Sequence, residues 1–183
     1  MAFRVLGVNG SLRAGSTADR ALRFALAALT AEGAICEAFE IASLPLFDGR
    51  EEDQYPAAVA AWRAACSAAD GLIIATPSFH GSLPGGLKNA LDFLDEPHVG
   101  GKPVAMIGIA AGDAEPGAAE TVKVLRHIRA VTAIPDVVVS RSGQHWGPGD
   151  RPANAGVAIA IGKVAADLVA LCKLRESGDL PQP

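Results

Sequence analysis

Short apolar runs alternate with segments of helical periodicity along almost the whole chain, and this order restricts the fold more than any other feature. Each run is rich in Val, Ile, Leu or Ala and has the length of a buried strand. The five runs lie at residues 3–8, 35–41, 71–76, 103–109 and 136–140. Between them, apolar residues recur every three or four positions, as in helices that cover a core. The pattern predicts five consecutive strand–helix units.

A chain of strand–helix units folds into a parallel sheet, because two parallel strands need a crossover that a helix supplies. Such crossovers are right-handed in almost all cases and leave helices on both faces of the sheet. We therefore predict an α/β domain with a doubly wound five-stranded parallel sheet and helices on both faces. The continuous apolar run at residues 71–75 is typical of a central strand, and the last helix is predicted over about residues 153–174.

Length and composition fit one domain of this class. The chain has 183 residues, of which 50% are hydrophobic and 5% aromatic, so one core of aliphatic side chains is expected. Residues 1–176 are predicted to form this domain, and residues 177–183, which are rich in turn formers, a flexible tail. Two irregular stretches, residues 45–56 and 142–152, are either functional lids or contact surfaces, or plain solvated connections.

Charge and cysteine content exclude several kinds of partner and site. A net charge of −4 without clusters of Lys or Arg argues against a nucleic-acid-binding surface. The three cysteines and the scattered histidines lack the spacing of metal ligands, so no metal is expected. No signal peptide or membrane-spanning run is recognised, and the odd number of cysteines favours a reducing compartment. We expect a cytoplasmic protein without a membrane partner.

The segment after the first predicted strand is typical of an anion site. Residues 10–17, which read GSLRAGST, join a strand end to a helix start. Unpaired backbone N–H groups and the positive end of the helix dipole converge at such a junction. Hydroxyl donors come from Ser11, Ser16 and Thr17, and Arg13 adds a guanidinium that can bind phosphate oxygens. Helix capping needs only one of these hydroxyls, so the loop is predicted to bind a phosphate.

Three kinds of nucleotide-binding loop compete for this segment. The Walker A loop requires a lysine where Ser16 stands and a magnesium-binding Asp after residues 72–75, and the chain has neither. The dinucleotide fingerprint is weak, because Gly7 and Gly10 are wrongly spaced, but Glu40 keeps it open as the acidic residue of that motif. A mononucleotide loop, in which backbone amides and hydroxyls neutralise a terminal phosphate, fits best.

A second loop follows the third predicted strand and should meet the first loop at the carboxyl edge of the sheet. Residues 77–92 read PSFHGSLPGGLKNALD. Together with Gly10-Ser11-Leu12-Arg13 and Ser16, this motif resembles the NADPH-dependent FMN reductase family, which includes chromate, quinone and azo reductases. The resemblance extends from Phe3 to about Leu174, and beyond Ile109 it holds only in general pattern.

The resemblance implies a flavodoxin-like fold with FMN as its cofactor. It also implies a homodimer or homotetramer that passes hydride from NADPH or NADH, through FMN, to a small acceptor such as free flavin, a quinone or an azo compound. The phosphate would be bound by Ser11, Arg13 and Ser16, with Thr17 beside them. The flavin ring would lie against Pro77, Ser78, Phe79, His80, Gly81 and Ser82, with the N–H groups of His80 and Gly81 bonding ring atoms. Apart from the resemblance, the small residues of the loop at 110–115 after the fourth strand, including Gly112, either let the backbone approach the ring or form a plain turn.

The chain departs from the family pattern beside the ring. Many relatives have Glu-Tyr-Asn where this chain has Ser78-Phe79-His80, and an Asn near Ala18. The acceptor preference of a relative therefore does not transfer directly. His80 has two interpretations. Its imidazole either takes part in the chemistry, by stabilising reduced flavin or by donating a proton to the acceptor, or it is an ordinary loop side chain. Because hydride transfer needs only stacking and orientation, no catalytic side chain is assigned.

Two alternative functions are also consistent with the sequence. One is a flavodoxin-type electron carrier that serves a protein partner, although carriers of this type are usually more acidic than a net charge of −4. The other is a family member recruited to reduce one specific biosynthetic substrate. Direct oxidation of NADPH would distinguish an enzyme from a carrier, which needs a separate reductase.

Overall fold

The five predicted strands form one parallel sheet in the computed structural model, which describes residues 2–132, 134 and 136–179. The strands are β1 (Arg4–Asn9), β2 (Ile35–Phe39), β3 (Gly71–Thr76), β4 (Val104–Ile109) and β5 (Val137–Val139). Their order in the sheet is β2-β1-β3-β4-β5, and every neighbouring pair is parallel. This is the flavodoxin-like order, with its topological switch point between β1 and β3. The predicted doubly wound five-stranded fold is confirmed.

Six helices lie in the described part of the chain and cover both faces of the sheet. They are α1 (Thr17–Ala31), α2 (Ala57–Ala68), α3 (Gly85–Asp92), α4 (Glu96–Val99), α5 (Glu115–His127) and α6 (Ala155–Glu176). The buried side chains of α1 and α6 pack together on one face. Those of α2, α3, α4 and α5 pack on the other face. Short 3-10 turns occur at Ile41–Ser43, Glu52–Gln54 and Ser142–Gln144.

The two central strands are buried along their whole length. Every residue of β3 and β4 is buried, which explains their continuous apolar sequences, because neither face of a central parallel strand meets water. On one face Ile73 and Ile107 pack against Leu29 and Ile161. On the other face the core includes Trp62, whose Nε1–H donates to the Ala90 carbonyl at 2.8 Å. The sheet is therefore a rigid platform for the loops at its carboxyl edge.

Two strands end earlier than their apolar runs, because a 3-10 turn begins soon after each of them. The run at 35–41 leaves the sheet after Phe39, where the Glu40 carboxylate accepts the Ala42 N–H and a 3-10 turn begins. The run at 136–140 contributes only Val137–Val139, and the backbone becomes left-handed at Arg141, the N-cap of the next 3-10 turn. The predicted flexible tail begins directly after α6, but its residues 180–183 lie outside the described residues.

Helix α6 is long and apolar enough to cross a membrane by length and composition, which the sequence analysis did not recognise. It has 22 residues and a mean hydropathy of 1.9, and 39% of its most apolar window is buried. The buried residues include Ile161, Val164 and Leu168, which belong to the core between α6, α1 and the sheet. A core helix passes the same test, and the packing against the sheet explains the apolar inner side of α6.

Candidate functional site

The loops after β1 and β3 touch each other at the carboxyl edge of the sheet. The Gly10 N–H donates to the Ala75 carbonyl at 2.8 Å. A Cβ added at Gly10 would lie 3.0 Å from both the Leu87 side chain and Thr76 Oγ1, so a larger residue would fit only if these side chains moved slightly. The Leu12 side chain covers Gly86 at the start of α3, within 3.0 Å of where a Cβ would be. Both predicted loops therefore border one crevice at the switch point.

The start of α1 presents unsatisfied backbone donors to this crevice. Ser16 is the N-cap, and its Oγ accepts the Asp19 N–H at 3.1 Å. The Arg20 N–H donates to the Ser16 carbonyl at 3.0 Å, so it is also satisfied. The N–H groups of Thr17 and Ala18 belong to the first turn, so no carbonyl of the helix can accept a hydrogen bond from them. Ser16 therefore caps the helix. Its hydroxyl proton is not used in this cap and can still donate a hydrogen bond to a ligand.

The rest of the first loop is folded by short side-chain to backbone bonds. Asn9 Oδ1 accepts the Ser11 N–H at 3.0 Å, and Ser11 Oγ accepts the Arg13 N–H at 3.3 Å. Ser11 and Ser16 are buried, whereas Arg13 is exposed. Within the described ranges the Arg13 guanidinium has no carboxylate partner, which leaves it available for an anion. Asn9 is a contributor that the sequence analysis missed, although its place between strand and loop is typical of such turns.

The second loop contains a tight two-residue turn at residues 79–82. The Phe79 N–H donates to the Ser82 carbonyl at 3.0 Å, and the Ser82 N–H returns to the Phe79 carbonyl at 3.1 Å. Both central residues are left-handed, with φ of 52° at His80 and 76° at Gly81, as in a type I′ turn. The N–H groups of these central residues have no acceptor among the residues that the structure describes. The turn therefore offers two backbone donors, the two named from the resemblance.

The side chains of the second loop differ in exposure. Pro77 is buried and Ser78 is half-buried, whereas the Phe79 ring is 54% exposed and the His80 imidazole is also exposed. An apolar ring and an imidazole thus stand at the open side of the crevice, where a second molecule can reach them. Ser82 is half-buried and closes the turn.

The third loop leaves open space at Gly112. A Cβ added there would meet no atom within 4 Å, and the Gly112 carbonyl accepts the Arg141 N–H at 2.9 Å. Asp113 Oδ1 accepts the Ser140 hydroxyl at 3.3 Å and the Glu115 N–H at 3.2 Å. The loop is fixed to β5 and to the start of α5, so the space beside Gly112 belongs to an ordered edge of the crevice.

Gly117 supports the second loop and was missed by the sequence analysis. A Cβ at this position of α5 would lie 2.6 Å from the Pro77 carbonyl oxygen and 2.8 Å from Ser78 Cα, distances that require a glycine. The small residues of the sequence Gly117-Ala118-Ala119 were a local signal of close packing. Their partner, the second loop, is distant in sequence and could not be identified without the fold.

The donors of the crevice fit a phosphate monoester with a flat ring attached. Two helix N–H groups, the hydroxyls of Ser11 and Ser16 and the Arg13 guanidinium lie at one end, an arrangement that neutralises a phosphate without lysine or metal. The backbone donors of the turn at residues 79–82 and the space at Gly112 lie at the ends of the next two strands. This donor set suits FMN better than a dinucleotide or a nucleoside triphosphate.

Comparisons with known proteins identify the family of the chain. A model of the family described as NADPH-dependent FMN reductase matches residues 3–145. A 2-hydroxy-1,4-benzoquinone reductase from a Burkholderia species is 36% identical over 143 residues, which are 76% of this chain and 75% of the relative. An NAD(P)H-dependent FMN reductase from Pseudomonas aeruginosa is 40% identical over 117 residues, 60% of this chain and 61% of the relative.

A solved structure shows the same fold. A flavoenzyme NAD(P)H:(acceptor) oxidoreductase from Paracoccus denitrificans superposes with a TM-score of 0.81 and 22% identity, covering 94% of this chain and 98% of that chain. The family match spans both crevice loops and the third loop as well. The chain belongs to the NADPH-dependent FMN reductase family, and it is an FMN-dependent NAD(P)H oxidoreductase.

Proposed function

We propose that the crevice binds FMN with its phosphate on residues 10–17 and its ring against residues 77–82, and that the enzyme reduces quinone-type acceptors. The observation that carries the proposal is a set of donors at the start of α1: the N–H groups of Thr17 and Ala18 and the Arg13 guanidinium, which have no acceptor among the described residues. When bound, FMN supplies the redox chemistry by taking hydride from NAD(P)H and passing it to the acceptor. The protein binds and orients both partners.

The phosphate end provides most of the cofactor affinity in this proposal. The proposed contacts are the buried hydroxyls of Ser11 and Ser16, the Thr17 hydroxyl and N–H, and the Arg13 guanidinium. Hydrogen bonds between ionised groups are stronger than neutral ones, so Arg13 is expected to contribute the largest single side-chain contact.

The ring end recognises the flavin through the backbone. The free N–H groups of His80 and Gly81 bond the ring edge, Pro77, Ser78 and Ser82 line that edge, and Gly112 leaves room for the ring. The left-handed turn fixes the direction of both N–H groups whatever side chain occupies the first turn position, provided that the residue tolerates a positive φ. Substitution of side chains here changes the surroundings of the flavin more than its binding.

A quinone is the acceptor class that this open side favours. The exposed Phe79 ring offers an apolar surface for a flat aromatic molecule, and the His80 imidazole offers a hydrogen bond to a carbonyl oxygen. One curated relative is a benzoquinone reductase and another an FMN reductase, so free flavin is the main competing acceptor. An azo compound is a third acceptor to test.

The test is a comparison of acceptors on the purified protein. We expect a flavin absorption spectrum, and oxidation of NADPH or NADH that depends on added benzoquinone more strongly than on added FMN or an azo dye. A colourless protein that does not bind FMN would overturn the cofactor site. Bound flavin without direct oxidation of NAD(P)H would instead indicate an electron carrier.

We further propose that the chain forms a homodimer, or a homotetramer of two such dimers. A groove between α3 and α5 supports this, since it combines the apolar residues Leu91, Val124 and Ile128 with charges of both signs. A self-complementary surface of this composition suits a twofold interface. Light scattering should give twice or four times the monomer mass, and Val124→Glu should shift the protein towards monomer.

A cytoplasmic location is part of the proposal. All three cysteines are free, as expected in a reducing compartment. Burial raises the pKa of the Cys172 thiol to about 12 and also raises that of Cys66, so both thiols stay protonated and unreactive at neutral pH. Fractionation of cells that express the tagged protein should place it in the soluble fraction.

A further inference from the structure

A network of charges links the first crevice loop to a distant segment of the chain. Asp19 Oδ2 accepts the N–H of Gly15 at 2.9 Å and a hydrogen bond from Arg23 Nη1 at 2.7 Å. Arg23 in turn makes a two-pronged contact with Asp150, with Nε to Oδ2 at 3.0 Å and Nη2 to Oδ1 at 2.9 Å. The Asp19 carboxylate thus binds Gly15 of the first loop and is itself bound by Arg23.

Gly15 is the residue of the loop whose backbone most needs fixing. Its φ is +67°, in the left-handed region, and it directly precedes the N-cap Ser16. The Asp19 carboxylate therefore determines where the chain enters α1 and how Ser16 is placed. That entry also aims the free N–H groups of Thr17 and Ala18 into the crevice.

The same carboxylate is an electrostatic problem for a phosphate site. Asp19 lies in the first turn of α1, so its negative charge is close to the position proposed for the phosphate dianion. Like charges repel, and the Asp19 side chain is only 19% exposed, which limits screening by water. The positive Arg23 guanidinium, which bonds Asp19 Oδ2 at 2.7 Å, offsets this negative charge.

Arg23 is held in this position by the segment after β5. The Asp150 carboxylate raises the pKa of Arg23, mainly through their hydrogen bonds, so Arg23 stays charged. Arg20 fixes the same segment, because its Nε donates to the Gly149 carbonyl at 2.7 Å and its guanidinium also bonds the Gly147 carbonyl. Trp146, in the same segment, is buried, and its indole N–H donates to the Asp150 backbone carbonyl at 2.9 Å.

We infer that Arg23 is a positioning residue for the FMN phosphate: it acts through Asp19 and never touches the ligand. This inference rests on the proposed placement of FMN. Without Arg23, the Asp19 charge is no longer neutralised and the bond to Gly15 loses its support. The phosphate then meets a repulsive and less ordered loop, whereas the flavin ring is unaffected.

The test compares FMN with riboflavin, which has the same ring and no phosphate. Apoprotein is titrated with each flavin, and binding is followed by the quenching of flavin fluorescence. Arg23→Met should weaken FMN binding about fivefold, the size typical of a partly exposed charge interaction at a helix terminus, and leave riboflavin binding unchanged. The matched control is Lys163→Met, which breaks another i,i+4 pair, with Asp167 at 2.7 Å, on α6.

A double-mutant cycle shows whether Arg23 acts through Asp19. In Asp19→Asn, the amide oxygen can still accept the Gly15 N–H but carries no charge, so FMN binding should be retained or tightened. Arg23→Met should then have a much smaller effect in the Asp19→Asn background, because no charge is left to neutralise. An equal loss in both backgrounds, or an equal loss for FMN and riboflavin, would overturn the inference.

The inference and the proposed function fail in different ways. If Arg13→Ala and Arg23→Met both leave FMN binding unchanged, the phosphate lies elsewhere and the proposed placement is wrong. If Arg13→Ala weakens FMN binding but Arg23→Met does not, the placement stands and only the role of Arg23 is wrong. Arg23→Lys, which keeps the charge, should retain most of the affinity and rules out a purely folding defect.

Discussion

In the proposed placement of FMN, the two ends of the crevice bind the cofactor with different parts of the chain. The proposed phosphate end consists of buried hydroxyls, a helix terminus and a chain of charged side chains from Asp19 to Asp150. At the ring end, two backbone N–H groups of a tight turn are the donors, and the side chains of Phe79 and His80 face outwards. We therefore expect side-chain changes to alter cofactor affinity at the first end and acceptor preference at the second.

The largest effect is expected from a substitution that moves the ring end as a whole. In Gly117→Ala, the new Cβ would lie 2.6 Å from the Pro77 carbonyl oxygen, so α5 and the second loop must separate. We expect a loss of about 1–3 kcal/mol in the free energy of unfolding, as for other overpacked sites. FMN and riboflavin should both bind more weakly, because the turn at residues 79–82 is displaced. Urea denaturation and flavin titration measure the two effects.

Gly143→Ala is the control for this substitution. A Cβ at Gly143 would meet no atom within 4 Å, and the residue has no positive φ. Its free energy of unfolding should stay within about 0.5 kcal/mol of that of the unmodified protein. If Gly117→Ala behaved like this control, the close approach of α5 would not be what positions the ring end.

Arg13→Ala should give the next largest effect, confined to the phosphate end. Loss of a charge-assisted contact to phosphate should weaken FMN binding by about 1–3 kcal/mol and leave riboflavin binding unchanged. Isothermal titration of the apoprotein with each flavin measures this difference. Arg175→Ala, which removes the same charge near the end of α6, is the control and should bind FMN normally. Unchanged FMN affinity in Arg13→Ala would contradict the phosphate assignment.

The difference between the two ends also explains what the sequence could reveal. The first loop follows local rules, because a strand end, a Gly- and hydroxyl-rich loop and a helix start are adjacent in the chain, so its candidate phosphate donors could be named from the sequence alone. The charge network could be identified only in part. Asp19 and Arg23 are four residues apart on one helix, but Arg23 and Asp150 are separated by 127 positions. Only the fold brings Asp150 to α1.

The same distinction holds for the sheet. The strands β3 and β4 were predicted with nearly correct bounds, because burial on both faces leaves a continuous apolar sequence. The ends of β2 and β5 were misplaced, because the Glu40 carboxylate caps a 3-10 turn after β2 and the backbone becomes left-handed at Arg141 after β5. Hydrophobic periodicity does not report such local turns.

A smaller and more selective effect is expected at His80. Asn tolerates a left-handed backbone better than most residues, so His80→Asn should keep the turn and bind FMN within about twofold of the unmodified protein. The ratio of kcat/KM for benzoquinone to that for free FMN should change, because the imidazole is lost from the open side. Steady-state kinetics with the two acceptors, together with a flavin titration, test the separation of the two roles.

His80→Val distinguishes the backbone from the side chain at the same position. A β-branched residue is strained at a φ of 52°, so the turn should be destabilised by about 1–2 kcal/mol and FMN should bind more weakly. If His80→Asn weakened FMN binding as much as His80→Val, the imidazole itself would contact the cofactor. The ring end would then resemble the phosphate end in its use of side chains.

The smallest effect should come from the ion pair at the far end of the charge network. The Arg23 guanidinium lowers the pKa of Asp150, mainly through their hydrogen bonds, and the charge of Arg20 on the same helix lowers it further. Arg23 also donates a hydrogen bond to Asp19. A carboxyl whose pKa is lower in the folded state stabilises the fold above its unfolded pKa, and this stabilisation is lost as the pH falls through the folded pKa. The segment after β5 should therefore loosen only in acid, below about pH 4.

Hydrogen exchange of two indole N–H groups can detect this loosening in one sample. The Trp146 indole donates to the Asp150 carbonyl, whereas the Trp62 indole donates to Ala90 in the opposite core and serves as the internal reference. The protection of Trp146 relative to Trp62 should be constant near neutral pH and fall as the pH drops below about 4. In Asp150→Asn it should be nearly independent of pH: lower than in the unmodified protein above about pH 4, by less than about 0.5 kcal/mol because the pair is exposed, and equal to it in stronger acid. If the ratio followed the same course in both proteins, Asp150 would not hold this segment, and the phosphate end would rely on Asp19 and Arg23 alone.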